Sequence, residues 1–278
     1  MDKHLSIDVI FSDSRGMVIA QQKCIDFIRQ KRKWHNWPII FIDADAMMEK
    51  NLIFRFLEQF EKHPKIKALG AQSLPISYKG WRLDKMLLDK ILNCRAYFPK
   101  SEVAVNYAPQ FHPYADDDPQ KIGSEFEKKS KIYFHGRCFA LRNQSIWDVP
   151  KDSIGEDTYL DRSIHYRFGP GSIRHLYDVH VRFYPITRLS DYLKVRYRIY
   201  KDLVDLRRKN PQFDKCREFS KTKLDWGYIR RLPFRWQCAF LIYFIIRQTS
   251  HFLFKHNLVY RQRKIDEIWC YKQKVETI

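Results

Sequence analysis

The sequence predicts an α/β fold in which a mainly parallel sheet is flanked by helices and followed by a basic, helical C-terminal segment. Three observations carry that expectation. Ile39, Ile40, Phe41 and Ile42 make a short continuous apolar run, the pattern of a strand buried on both faces near the centre of a sheet. Upstream, residues 6–11 read as a strand, 12–16 as a loop and 17–34 as an amphipathic helix with cations toward its end, so the chain opens as a β-α-β unit. Downstream, Leu52, Ile53, Phe56, Leu57 and Phe60 share one face of a helix over 51–63, which Pro64 ends, and a strand follows over 66–73.

The remaining elements follow from the same periodicities. Trp81, Leu83, Met86, Leu87, Ile91 and Leu92 recur at helical intervals over 81–95. Residues 102–112 alternate loosely and read as strand or loop. Asp116, Asp117 and Asp118 precede Pro119; adjacent carboxylates do not easily converge on one ion, so a solvated loop is expected there. Residues 131–142 read as strand, glycine, strand, with Gly136 allowing another backbone or a ligand to approach. A helix over 158–166, a strand over 179–184 and a helix over 189–206 carrying Arg196 and Arg198 complete this part. Beyond Pro211 the pattern changes. Residues 221–235 interleave basic residues with Trp226, Tyr228 and Phe234; 239–246 are apolar all round; and Arg247 to His251 interrupt before a mostly charged helix over 258–274.

Charge is lopsided and unevenly placed. The chain has 51 Lys+Arg against 32 Asp+Glu, and residues 182–278 hold 23 Lys+Arg and 9 Asp+Glu, about +14 of the net +19. Such a field favours anionic partners. At 45% hydrophobic and 15% aromatic the chain is not disordered. Six scattered cysteines without a C-x-x-C pair fit a reducing compartment and give no zinc pattern. No apolar stretch is long enough for a conventional span, and Met1 to His4 do not lead into a signal sequence, so a cytoplasmic protein is expected. The short apolar helix with basic and aromatic flanks fits either interfacial attachment to an anionic leaflet or a core helix of a C-terminal cap.

Two acidic groups stand out. Asp43 and Asp45 follow the apolar strand at the edge where open α/β sheets bind ligands, and alternate residues of an extended segment point the same way. Two hard oxygen ligands there suit Mg²⁺ or Mn²⁺ with phosphate oxygens completing the shell. The plainer reading makes Asp45 a helix cap and Asp43 a turn residue. Glu156 and Asp157 open a helix, where acidic residues are favourable on dipole grounds alone. His135 and Arg137 flank Gly136, as acceptor or phosphate contacts or as satisfied structural polar groups.

Residues 39–45, then His135-Gly136-Arg137 with Arg142, then Gly155-Glu156-Asp157, in that order and spacing, resemble the family 2 glycosyltransferases of the GT-A fold, over roughly two thirds of the chain from Ser12 to Tyr200. The resemblance implies a GT-A-like catalytic domain over 1–206 and a basic helical segment over 207–278. It implies metal-dependent, inverting transfer of a sugar from a nucleotide-sugar donor, foremost a UDP-sugar, to a hydroxyl of a surface glycan or lipid-linked acceptor, as in polysaccharide biosynthesis. Asp43 and Asp45 would hold Mn²⁺ or Mg²⁺ and the donor diphosphate, and Asp157 would be the base. Glu156, His135, Arg137, Arg196 and Arg198 would contact acceptor or phosphate. Arg198 answers to the arginine of the processive synthases' Gln/Arg-x-x-Arg-Trp motif, but without its Gln and Trp, which points to non-processive transfer.

The family also carries earlier strands that read the donor base, and this chain begins after them. Two rival expectations follow. One is an inactive remnant or half of a split enzyme, completed by a partner chain supplying those strands. The other is a module that binds polyanions or the inner face of the plasma membrane through its basic last third, with nucleic acid the less expected partner.

Overall fold

The computed structural model describes residues 17–30, 37–78, 80–104, 134–142, 149–150, 155–218 and 222–261. The strand expected over 6–11, the loop over 12–16, the run Asp116 to Asp118 and most of the helix expected over 258–274 lie outside the described residues.

The chain forms a mixed α/β structure. Strands β1 (Pro38–Ile42), β2 (Ala46–Met48), β3 (Ala68–Pro75), β5 (Cys138–Arg142) and β6 (Ile173–Phe183) build one five-stranded sheet in the order β1-β5-β3-β6-β2; β4 (Glu102–Ala104) pairs with β7 (Thr222–Leu224) in a second, two-stranded sheet. The expectation of a mainly parallel sheet is corrected here. Only β3 and β6 pair in parallel, while β1–β5, β5–β3 and β6–β2 are antiparallel. The cause is β5, which enters from the turn at Gly136-Arg137 and runs back between β1 and β3. Hydrophobic periodicity marks a strand but not its direction, so the reversal has no sequence signal. β1, β3 and β6 nonetheless all run the same way, so their carboxyl ends share one edge.

The sheet is covered on both faces, with side chains alternating as the pleat requires. On one face Phe139 and Leu141 meet Ile25 of helix α1 (Met17–Gln30) and Leu160 and Ile164 of helix α5 (Glu156–Phe168). Phe139 stacks between Phe41 at 4.6 Å and Phe134 at 4.5 Å, centroid to centroid. On the other face Cys138, Ala140 and Leu69 meet Leu52, Phe56 and Phe60 of helix α2 (Leu52–Lys62). β1 itself is half-buried and pairs on one side only among the described residues, rather than lying fully buried at the centre.

A third core lies outside the sheet. Helix α3 (Leu83–Leu92), short helix α4 (Cys94–Tyr97), helix α6 (Leu189–Lys209) and short helix α7 (Trp226–Ile229) gather around helix α8 (Phe234–Arg261), burying Ile91, Leu92, Tyr192, Ile229, Phe240 and Tyr243. The core-helix reading of the apolar C-terminal stretch holds for one face of this helix: Ala239, Phe240 and Tyr243 are core, while Leu241, Ile242 and Ile245 face outward. Among the described residues no helix is long and apolar enough to cross a membrane.

Candidate active site

Four chain segments meet at the edge where β1 ends. Asp43 leaves the strand with its N–H donated to the Arg137 carbonyl at 3.0 Å, extending the β1–β5 ladder by one bond. The next residues are not extended. The Ala46 N–H returns to the Asp43 carbonyl at 3.0 Å, closing a tight turn that leaves Asp43 half-buried and Asp45 exposed. The alternate-residue argument for a shared face therefore does not apply. Nor does Asp45 cap a helix, because β2 intervenes and α2 starts after Asn51. A turn instead brings the two carboxylates close enough to repel.

The second segment is the turn before β5. Arg137 is half-buried, lies over the Phe183 ring at 3.6 Å from its centroid and donates from Nη1 to Nε2 of exposed His135 at 3.2 Å. The third is the first turn of α5. Asp157 Oδ2 accepts the Gly136 N–H at 2.9 Å, and Oδ1 accepts the Thr158 N–H at 2.7 Å. An alanine Cβ at position 136 would sit 2.9 Å from that Oδ2, so the absence of a side chain lets the acid approach. The fourth is α6. Arg198 is near enough to act electrostatically on Asp43, and one turn further Asp202, itself buried, accepts the Gly155 N–H at 2.9 Å. A Cβ on Gly155 would meet Asp202 Oδ2 at 2.6 Å.

Negative charge is in excess here. Burial raises the Asp43 carboxyl to about 6; Asp45 and Asp157 push the same way, and Arg137 and Arg198 only partly oppose them. Glu156 is buried beneath the site, with Gln21 Nε2 at 3.4 Å from its Oε1; burial and Asp157 raise it to about 7. Burial lowers the Arg137 guanidinium while Asp43, Asp45 and Asp157 hold it up. Among the described residues no group of three or more His, Cys, Asp or Glu side chains could by itself hold a metal ion. Two mutually repelling carboxylates at an open edge do fit a hard divalent cation whose remaining ligands come from phosphate and water, the usual habit of Mg²⁺.

The sequence-selected residues divide cleanly. Asp43, Asp45, Arg137, Asp157 and Arg198 converge. His135 stands at the rim beside Arg137. Glu156 lies below, too buried to touch an acceptor directly. Arg196 belongs elsewhere, among Tyr192, Tyr243, Arg247 and Arg95. Residues 196 and 198 are about 200° apart around a helix, so one helix cannot present both to one site. Sequence reasoning missed Asp202 and Gln21. Asp202 had a signal, since it stands four residues after Arg198 and shares its face; Gln21 had none. No protein-family model matches this chain, and no curated protein matches it.

A pH dependence follows. A carboxyl raised in the folded state binds its proton there more tightly than in the unfolded chain, so its effect on stability is lost as pH climbs from about 4 to about 6. Asp43→Asn should therefore raise the melting temperature at pH 7.5 by about 2–4 °C, allowing for solvent screening at a half-buried position, and change nothing at pH 4. Scanning calorimetry at the two pH values checks this; a lower melting temperature at pH 7.5 would show that the Asp43 charge is already compensated.

Proposed function

We propose that the chain is a glycosyltransferase of the GT-A kind, moving a sugar from a nucleotide-sugar donor, foremost a UDP-sugar, to one acceptor hydroxyl with inversion and without processive elongation. The observation that carries this reading is the meeting of Asp43, Asp45, Arg137, Asp157 and Arg198 at the carboxyl edge of β1. They come from four separate segments of the sequence, and a shared edge of co-directional strands is where α/β sheets bind ligands.

Each residue has a distinct task in that chemistry. The acceptor oxygen forms its bond to the anomeric carbon as the bond from that carbon to the donor diphosphate breaks. Asp157 takes the acceptor's proton. Its two oxygens are steadied by the backbone N–H groups of Gly136 and Thr158, which fixes the direction of the lone pairs left for that proton. Arg137 and Arg198 offer positive charge to the departing diphosphate. Asp43 and Asp45 would hold Mn²⁺ or Mg²⁺, which when bound supplies further positive charge to the phosphates. Glu156 acts from below by fixing the start of α5, and Asp202 fixes the loop before it.

The outer face of α8 suggests where the reaction happens. Phe234, Leu241, Ile242, Ile245 and Phe252 form an exposed apolar stripe at helical spacing, with Arg230, Arg231 and Arg235 exposed at its N-terminal end. A helix of this kind lies in the plane of an anionic membrane surface, with cations at the headgroups and the stripe below them. Peripheral attachment at the cytoplasmic leaflet would bring a lipid-linked acceptor to the enzyme.

Calorimetric titration with UDP, GDP and CDP, with and without Mn²⁺, tests the enzyme reading. One nucleotide should bind only with metal, and binding should fall by about 100-fold or more in Asp43→Ala/Asp45→Ala. Folded protein that binds none of them would sink a stand-alone donor site. The membrane reading is tested by vesicle flotation. Wild type should float with anionic but not zwitterionic vesicles, and Ile245→Glu/Phe252→Glu should stay in solution at an unchanged melting temperature; flotation that ignores the double substitution would rule out the α8 stripe.

A further inference from the structure

Where α8 crosses α6, two helix stripes of equal spacing face each other. Tyr192, Arg196 and Tyr200 stand at four-residue intervals on α6, and Tyr243, Arg247 and His251 at four-residue intervals on α8. The outer rungs pair edge-on, Tyr192 with Tyr243 at 6.4 Å and Tyr200 with His251 at 4.9 Å between centroids. The middle rung is arginine on both sides. A third guanidinium, Arg95 of α4, comes in from the flank and donates to the Tyr243 hydroxyl at 2.9 Å.

The positive charges there are not balanced. Arg95 is paired with buried Glu102, which also accepts from the Thr222 hydroxyl at 2.6 Å. Arg196 and Arg247 have no carboxylate partner among the described residues, and Arg196 Nε is buried without a hydrogen-bond acceptor. Neighbouring groups register the excess. Burial lowers the Arg196 guanidinium, and Arg247 and Arg95 lower it further. Burial, then Arg196, Lys255 and Arg247, disfavour protonation of His251. Burial alone would raise the Tyr243 hydroxyl, yet Arg95, Arg247 and Arg196 together bring it below its ordinary value. Like charges held together at a partly buried helix contact repel far more strongly than in water. Two guanidinium forks beside tyrosine hydroxyls match the oxygens of a phosphate group.

We infer that the contact between α6 and α8 around Arg196 and Arg247 is a phosphate-binding site, taking a phosphate monoester or diphosphate group through those two arginines. It is separate from the carboxylate cluster, because Arg198 faces that cluster from the other side of α6. The inference does not depend on the glycosyltransferase reading. The phosphate comes from either of two sources, a soluble compound or a lipid headgroup, and the chemistry of recognition is common to both.

The test uses the full chain in EDTA, so that no divalent ion serves the carboxylate site. Inorganic pyrophosphate and phosphate are titrated calorimetrically, and phosphatidylcholine vesicles containing phosphatidic acid are compared with vesicles containing phosphatidylglycerol. The proteins are wild type, Arg196→Gln, Arg247→Gln and, as a control for loss of a cation elsewhere, Lys62→Gln on the exposed side of α2. Soluble anion should bind wild type and Lys62→Gln alike and bind each arginine variant about tenfold or more weakly. Preference for phosphatidic acid over phosphatidylglycerol, lost in both arginine variants, would support the site with a lipid phosphate as its ligand. Without anion, each arginine variant should melt no lower than wild type, since it removes a repelling charge. The inference is overturned if neither form of phosphate binds, if binding is unchanged in both arginine variants, or if both melt well below wild type because the arginines serve packing alone.

Discussion

The bond from the Gly136 N–H to the Asp157 carboxylate is the contact on which the site's geometry depends. It joins the turn that starts β5 to the first turn of α5, whose later turns pack Leu160 and Ile164 against Phe139 of the same strand. From it a ring of contacts can be traced. The carbonyl of Arg137, next to Gly136, receives the Asp43 N–H at the end of β1. Two residues before Asp157, the Gly155 N–H reaches Asp202 on α6. One helical turn before Asp202 stands Arg198, whose charge acts back on Asp43. Three joints in this ring use a backbone N–H, and only the last, from Arg198 to Asp43, is between side chains, so its shape does not rest on flexible side chains alone. The two glycines belong to it because a Cβ at either would collide with a carboxylate oxygen.

Helix α6 separates two opposite imbalances of charge. Toward the sheet it helps to enclose three carboxylates opposed by two arginines; toward α8 it carries one of two arginines without a carboxylate partner among the described residues. Neither arrangement helps the empty fold, since like charges brought out of water cost free energy that packing must offset. Both become favourable once a ligand of the other sign arrives. A cation with a diphosphate suits the first, and a phosphate suits the second. Residues 182–278 hold 9 of the 32 acids but 23 of the 51 cations, so the global charge asymmetry is expressed locally on the two sides of one helix.

Much of this was legible in the sequence, and the failures have physical causes. Helices at 51–63 and 158–166 were readable because their apolar faces or caps repeat at 3.6 residues, and they appear as Leu52–Lys62 and Glu156–Phe168. The sheet's directions were not readable, because strand periodicity is the same for both orientations. Asp43 and Asp45 are readable as a pair at a strand's end, but the turn that folds them together, closed by the Ala46 N–H on the Asp43 carbonyl, has no sequence pattern that separates it from extended chain. Arg196 and Arg198 were grouped by proximity in sequence, although helical geometry alone sends them to opposite sides. Asp202 was open to the same geometry. The Gly136 contact was half visible: the glycine suggested a close approach, and only the fold identifies Asp157 as what approaches.

The repulsion at Asp43 can be measured directly by carbon-detected NMR titration of its carboxyl group, first in the free protein and then with Mg²⁺ and each nucleoside diphosphate. A free-protein midpoint near 6 is expected from its burial and its acidic neighbours. Metal with the cognate nucleotide should move that midpoint down to the ordinary carboxylate range or below, because a bound cation favours the charged form. A free-protein midpoint already at the ordinary value, or one that no metal–nucleotide pair displaces, would contradict the assignment of Asp43 as a ligand for metal and diphosphate.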